Sequence, residues 1–252
     1  MSEVKIFKIE KKGKHYLVYS SESELPVKLT EDCIVNNRII KGTIFDEETW
    51  KKIVSSSNND YLFDKVLSFI DYKPRTEKEV REYLRKKEVS LDLIENIIKR
   101  LKQIKYLDDE KYVASFIEEG IKNKKGPLLI SYQLDNLGID KGLTYKYLSK
   151  YDYEIQLANA LEIAKKSLVL QSKYPVKKSK ELIYQKLSRN GYNADIINKV
   201  VSSLEFQEDS LENLWNDYRK LLAKNQDKNK IVTSLLAKGY SYQDIKKVLN
   251  NE

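Results

Sequence analysis

The chain has 252 residues, 41% of them apolar and 33% charged, with only 8 Gly and 4 Pro. That make-up is too apolar for disorder and too poor in turn formers for an all-β fold, and it points to a helix-rich protein of one or two domains with a sizeable core. A net charge of +8 hints at a polyanionic partner, while a single Cys33 and a single His15 exclude an internal disulfide framework and most histidine-based metal or acid–base sites.

The chain opens on β patterning. Val4, Ile6 and Ile9 alternate up to a Lys12-Gly13-Lys14 turn, and Tyr16 and Val18 alternate after it, which predicts a hairpin. A third strand is expected over Leu25–Leu29. Thr30-Glu31-Asp32 then opens a short helix through Asn36, and Asp46-Glu47-Glu48 opens another through Val54. Acidic residues in a first turn suit the positive end of the helix dipole. The run Ser55-Ser56-Ser57-Asn58-Asn59 is polar and without periodicity, so it reads as a linker closing an N-terminal region, 1–59.

From there the sequence repeats. Leu84, Leu134, Leu187 and Leu235 align, at separations of 50, 53 and 48 residues. One helical turn before them stand Val80, Ile130, Ile183 and Ile231, on the same face. Two turns before them stand Thr76, Gly126, Ser179 and Asp227. Three of these are good N-caps, and Gly126 precedes Pro127, a favoured first helical residue. Thr76 and Glu79 have capping-box spacing.

Four positions after the leucines come Glu88, Gly138, Gly191 and Gly239, three of them glycine stops. Two further on, Ser90, Asp140, Asn193 and Ser241 cap a last helix. Its inward pairs are expected to be Ile97/Ile98, Tyr147/Leu148, Val200/Val201 and Val248/Leu249.

Each unit is thus three helices, the first predicted over Tyr61–Tyr72, Asp109–Lys122, Glu154–Lys173 and Ser210–Lys224. The expected fold is mainly α: the β-containing region followed by four tandem three-helix repeats, 60–107, 108–151, 152–206 and 207–252, in an elongated, curved array. The short turn between the last two helices of a unit also resembles a helix-turn-helix, a likeness that helix packing alone produces.

Charge is uneven along the chain. Residues 61–107 carry 12 basic and 8 acidic residues and 151–206 carry 9 and 6, whereas 1–60 and 108–150 are balanced. Three clusters are candidates for contact with DNA or a protein partner: Arg81, Arg85, Lys86 and Lys87; Lys122, Lys124 and Lys125; and Lys177, Lys178 and Lys180 ahead of a helix expected over Ser179–Arg189. The plainer reading makes them solvated helix ends. Tyr83, Tyr132 and Tyr184, just before the aligned leucines, are expected to pack between helices rather than stack on bases. Asp108-Asp109 reads as a helix cap rather than a metal site. The Gly-Lys pairs at Gly13 and Gly42 lack P-loop spacing, and no nucleophile has a neighbouring histidine, so neither an enzyme nor a cofactor is expected. No apolar run approaches 18 residues and no signal peptide is evident, which points to a cytoplasmic protein.

Particular residues sharpen this outline. The run Arg75-Thr76-Glu77-Lys78-Glu79-Val80-Arg81-Glu82-Tyr83-Leu84 resembles the first-repeat signature of the RecX family of recombinase regulators. So does the block Tyr106-Leu107-Asp108-Asp109-Glu110-Lys111-Tyr112, Phe116, Lys125-Gly126-Pro127, Ile130, Leu134 and Gly138-Ile139. The resemblance is strongest from Pro74 to Ile139. Two departures sit at helix ends: Glu88 stands where glycine is usual in the repeat, and Lys105 precedes Tyr106 where glycine is common. The resemblance implies a small cytoplasmic, monomeric protein that binds RecA and the RecA–DNA filament. It further implies suppression of ATP hydrolysis, filament growth and strand exchange, with direct contact to single- or double-stranded DNA in some members. The alternative is a stand-alone DNA-binding helical-repeat protein. Charge reversal at Arg81/Arg85 or Lys122/Lys125 is expected to weaken regulation with helicity intact.

Overall fold

A computed structural model of the chain describes residues 3–171, 174–206, 211–224 and 227–250. The chain divides into two compact units, Met1–Tyr112 and Val113–Glu252.

The first unit begins with strands β1 (Glu3–Lys12), β2 (His15–Ser20) and β3 (Ser23–Thr30), then helix α1 (Glu31–Asn36) and a short strand β4 (Ile44–Asp46). The sheet is antiparallel in the order β3-β2-β1-β4. The expected three strands are present. The fourth, a three-residue edge on β1, is too short to leave a period-2 signal. Gly13 turns the hairpin at φ +64°. Helix α2 (Glu47–Tyr72) follows, with Asp46 capping it through the Thr49 N–H at 2.8 Å.

Here the structure corrects the sequence reading. The helix expected to end at Val54, the expected linker and the helix expected over Tyr61–Tyr72 form one helix of 26 residues, so the boundary placed at residue 59 falls inside α2. Its buried stripe runs Trp50, Ile53, Ser57, Phe63, Val66 and Ile70. Trp50 and Ile53 close a core with Val4, Ile6, Val18, Leu29, Cys33 and Ile39. Phe63, Val66 and Ile70 belong to the core of the first three-helix layer. Ser57 lies between the two cores, fully buried, and its Oγ accepts the Thr30 N–H at 2.9 Å. The polar run is therefore a helix with one serine turned inward to satisfy a strand edge.

Helices α3 (Glu77–Arg85) and α4 (Leu91–Gln103) complete that layer, and α5 (Asp109–Lys122) leads out of the first unit. The second unit continues with α6 (Pro127–Asn136), α7 (Lys141–Leu148), α8 (Tyr153–Leu170), α9 (Val176–Arg189), α10 (Ala194–Ser203), α11 (Leu211–Leu222), α12 (Lys228–Lys238) and α13 (Tyr242–Asn250). The aligned pairs Val80/Leu84, Ile130/Leu134, Ile183/Leu187 and Ile231/Leu235 are all at 0% exposure, so all four middle helices bury the same two positions. Each such side chain contributes about 1.5–3 kcal/mol on burial. In the last helices the expected inner pair is fully buried in α4, but Val201 of α10 and Leu249 of α13 are half-buried, as are both Tyr147 and Leu148 of α7, where Thr144 is the buried residue. The predicted helix ends at Lys173 and Ser210 lie outside the described residues.

Most N-cap positions fall where the sequence places them, but Ser90 and Asp227 form no side-chain cap bond. Thr76 forms a full capping box with Glu79, and Asp140 and Asn193 accept the Leu143 and Ile196 N–H groups. Ser179 does not cap. Helix α9 begins at Val176, and Ser179 is buried within it, its hydroxyl 3.2 Å and 3.3 Å from the carbonyls of Gln171 and Tyr174.

The helix stops share one backbone conformation. Gly138, Gly191 and Gly239 have φ of +77°, +86° and +103°, and Glu88 adopts φ +57° at the aligned position. Lys105, the other departure, also sits at φ +57°. A side chain there is strained by about 1–2 kcal/mol, only part of which the extra unfolded-state freedom of glycine would cancel. Glu88→Gly and Lys105→Gly are each expected to stabilise the protein by roughly 0.5–1 kcal/mol, read as a raised thermal midpoint. A lowered midpoint would show that these side chains hold the turn.

Candidate partner-binding surface

The first cation cluster sits on α3. The start of that helix is closed by its own capping box, by an Arg75–Glu79 ion pair at 2.8 Å, and by the Asp109 carboxylate, which accepts the Glu77 N–H at 3.0 Å. Burial raises the Asp109 carboxyl above its ordinary range. Asp108 caps its own helix through the Lys111 N–H at 2.9 Å, so the acidic pair caps two helices.

Arg81 is held within the fold. Its guanidinium donates to Glu77 at 2.6 Å and 2.8 Å and pairs with Glu95 of α4, while Lys102 reaches the same Glu77 at 2.5 Å. The Glu95 bond, ahead of Glu77, raises the Arg81 pKa further. Arg81 thus ties α3 to α4 and is only partly exposed. Arg85 and Lys86, at the end of the helix, are exposed and make no ion pair among the described residues. The Lys87 ammonium lies 5.0 Å over the Tyr83 ring, which stacks on Phe69 at 4.3 Å.

The second cluster surrounds a helix-to-helix junction. Lys124 adopts φ +58°, its carbonyl accepts the Tyr192 hydroxyl at 2.8 Å, and its ammonium pairs with Glu162. Lys124 and then Lys166 hold the Glu162 carboxyl down to about 2. The Lys125 ammonium donates to Gln133 at 3.0 Å. Next in the chain, the Gly126 N–H donates to the Asn190 carbonyl at 2.7 Å, and the Leu128 N–H to the Gly191 carbonyl at 3.0 Å. The end of α9 therefore supplies acceptors to the start of α6, joining the two helices head to tail. Those N–H groups are taken, so this helix start is closed to an anion. Lys122 alone of the cluster is exposed without an ion pair among the described residues.

The third cluster lies in the opening turns of α9 rather than ahead of it. Lys178 pairs with Glu181 at 2.9 Å, Lys180 lies 5.0 Å over Phe206, and Lys177 is exposed. The second and third clusters flank opposite ends of α9, whose 14 residues span about 21 Å. Of the ten candidate residues, Arg85, Lys86, Lys122 and Lys177 present cations to solvent, and Arg81, Lys124, Lys125 and Lys178 are engaged by other side chains of the protein.

The remaining candidates are structural in their surroundings. His15 meets the edge of Tyr61 at 4.9 Å, and burial lowers its pKa. The Cys33 thiol is buried, and burial pushes its pKa up. Among the described residues no group of three or more His, Cys, Asp or Glu side chains is placed to hold a metal, and no helix is long and apolar enough to cross a membrane. Tyr83 packs as expected, but Tyr132 and Tyr184 are exposed. Sequence reasoning missed the buried tyrosines five positions after the aligned leucines. Tyr192 reaches Lys124, and Tyr240 donates to Asp217 at 3.1 Å. Their placement after the glycine stops was the available signal.

A small antiparallel sheet leading into successive three-helix layers defines a tandem three-helix-domain protein. Residues 63–101 match the family profile described as RecX, first three-helix domain. The chain is 34% identical over 259 residues to the regulatory protein RecX of Streptococcus equi subsp. equi, covering 98% of this chain and 99% of that protein. It is 28% identical over 257 residues to the regulatory protein RecX of Staphylococcus carnosus, covering 98% and 96%. A crystal structure of RecX from Lactobacillus salivarius, at 26% identity, covers 59% of this chain and 97% of that one with a TM-score of 0.55. Another, of regulatory protein RecX at 24% identity, covers 79% and 100% with a TM-score of 0.62, a likeness of fold. The chain belongs to the RecX family of regulatory proteins.

Proposed function

We propose that the protein is a negative regulator of a RecA recombinase, acting as a monomer in the cytoplasm without a cofactor. It binds RecA and the RecA–DNA filament, and it suppresses ATP hydrolysis, filament extension and strand exchange in DNA repair and recombination. The kinship to proteins named regulatory protein RecX, extending over almost the whole of both chains, carries this reading. Within it, the exposed cations Arg85, Lys86, Lys122 and Lys177 are the contacts open to an acidic partner or to phosphate, since their neighbours in each cluster already meet a carboxylate, an amide or an aromatic ring.

The test is the single-stranded-DNA-dependent ATPase of the cognate recombinase with this protein added below stoichiometry. The rate is expected to fall, and Arg85→Glu with Lys86→Glu is expected to raise the concentration needed at least severalfold. An unchanged rate with the unaltered protein overturns the reading. The net charge of +8 favours a second reading, DNA binding without a recombinase. Its mark is an affinity for DNA alone that falls steeply with salt.

A further inference from the structure

We infer that the seam between the sheet and the first three-helix layer is a docking groove for an extended, uncharged segment of the recombinase. The inference rests on the regulatory reading and gives the partner a second contact, separate from the exposed cations.

The groove lies within the Met1–Tyr112 unit and has a volume of about 520 Å³. Its floor is one face of α2, along which Lys51, Ser55, Asn58, Asn59 and Leu62 follow at helical-turn spacing. On one side Val27 and Val54 are half-buried against the core of the sheet. On the other, Val89 and Leu93 are half-buried with Leu62 against the core of the first three-helix layer. The groove thus runs between the two cores that α2 bridges, beside the buried Ser57. From Lys51 to Leu62 the helix rises ~16 Å, the length of about five extended residues.

Hydrogen-bonding capacity in this groove is unspent. The side chains of Ser55, Asn58, Asn59 and Ser90 line it and make no hydrogen bond among the described residues. Ser90 sits at the N-cap of α4 without a cap bond, whereas Thr76 and Asp140 in the same role make one. The Thr30 strand edge accounts for Ser57 but not for its neighbours. Serine and asparagine are poor helix formers, so alanine, lysine or glutamate at those exposed positions would hold α2 better. An asparagine amide offers one acceptor and two donors, the complement of a peptide group, so two in succession suit an unpaired main chain. An extended segment sends alternate side chains to opposite faces, where the apolar walls can receive them.

Charge argues for a neutral occupant. Lys51 and Lys87 are matched in the lining by Glu22 and Glu88, and Lys51 already pairs with Glu47 at 2.5 Å. The groove therefore has no net charge to draw phosphate. At its α3–α4 end Lys87 directly follows Arg85 and Lys86, so a segment seated here leads onto the exposed cations of the first cluster.

The experiment measures the affinity of the full chain for the cognate recombinase without DNA by biolayer interferometry, alongside inhibition of its ATPase. Asn58→Ala with Asn59→Ala is expected to weaken binding about five- to tenfold, the loss of one or two net hydrogen bonds. Alanine is the better helix former, so the thermal midpoint is expected to hold or rise, which separates weaker binding from unfolding. Ser55→Trp, which fills the groove, is expected to weaken binding at least as much. Ser56→Trp is the matched control, exposed on the same helix but outside the groove, and is expected to bind as wild type. Inhibition by the unaltered protein with binding unchanged in both groove variants overturns the inference and leaves the regulatory reading standing. A loss at Ser56→Trp equal to that at Ser55→Trp overturns it too. Groove variants that lose affinity for a labelled oligothymidylate by the same factor place nucleic acid in the groove and likewise overturn it. Neither binding nor inhibition by the unaltered protein overturns both readings.

Discussion

Gly191→Ala is expected to destabilise the Val113–Glu252 unit by roughly 2–5 kcal/mol, combining a left-handed backbone with overpacking. A Cβ at Gly191, where φ is +86°, would lie 2.2 Å from the Leu129 nitrogen and 2.4 Å from its Cβ. Both are parts of a helix start that cannot swing aside. The collision falls where the Asn190 and Gly191 carbonyls accept the Gly126 and Leu128 N–H groups, so relief by separation breaks two backbone hydrogen bonds and the Tyr192–Lys124 bond beside them. Two companions divide the cost. Gly126→Ala, at an ordinary φ of −74°, carries the steric part alone, its Cβ 2.3 Å from the Gly191 carbonyl. Gly13→Ala, at φ +64° with nothing within 4 Å, carries the conformational part alone, about 1–2 kcal/mol. Scanning calorimetry should rank Gly191→Ala lowest in midpoint and Gly13→Ala nearest to wild type. If Gly126→Ala melts with wild type, the head-to-tail junction is not tight in solution.

That junction marks the limit of what was legible beforehand. Gly126 and Gly191 each read locally, one as a cap position before Pro127 and one as a helix stop, and each reading holds. Nothing local relates two glycines 65 residues apart, because the bond between their helices is a tertiary event on backbone atoms. Local signals served well where one helix decides the outcome: the eight inner positions of the middle helices, the Thr76 box, and the caps at Asp140 and Asn193. They failed where a polar residue answers to a distant partner. Ser57 looked like linker but serves the Thr30 strand edge, and Ser179 looked like a cap but is turned onto the Gln171 and Tyr174 carbonyls.

Reversing Arg81 is expected to cost about 2–4 kcal/mol, a paired-charge loss moderated by partial exposure, rather than leave the fold intact as its place in a basic run suggests. A glutamate there would face Glu77 and Glu95, with Lys102 left to pair with Glu77 and Arg85 acting on Glu95 without a direct ion pair. The Arg81 and Glu77 side chains are 24% and 23% exposed, so solvent screens the clash only in part. Glu77 also carries the backbone N–H that Asp109 caps, which couples the ion pair to the start of α3. Arg85→Glu with Lys86→Glu, by contrast, alters exposed side chains without ion pairs among the described residues and is expected to shift stability by less than about 1 kcal/mol. Urea denaturation followed by circular dichroism separates the two, with the midpoint moved by the first and held by the second. Equal midpoints would mean that Arg81 is as free as its neighbours. The distinction governs any test of regulation: activity lost with Arg81 reports on the α3–α4 layer, whereas activity lost with Arg85 and Lys86 reports on a surface that touches the partner.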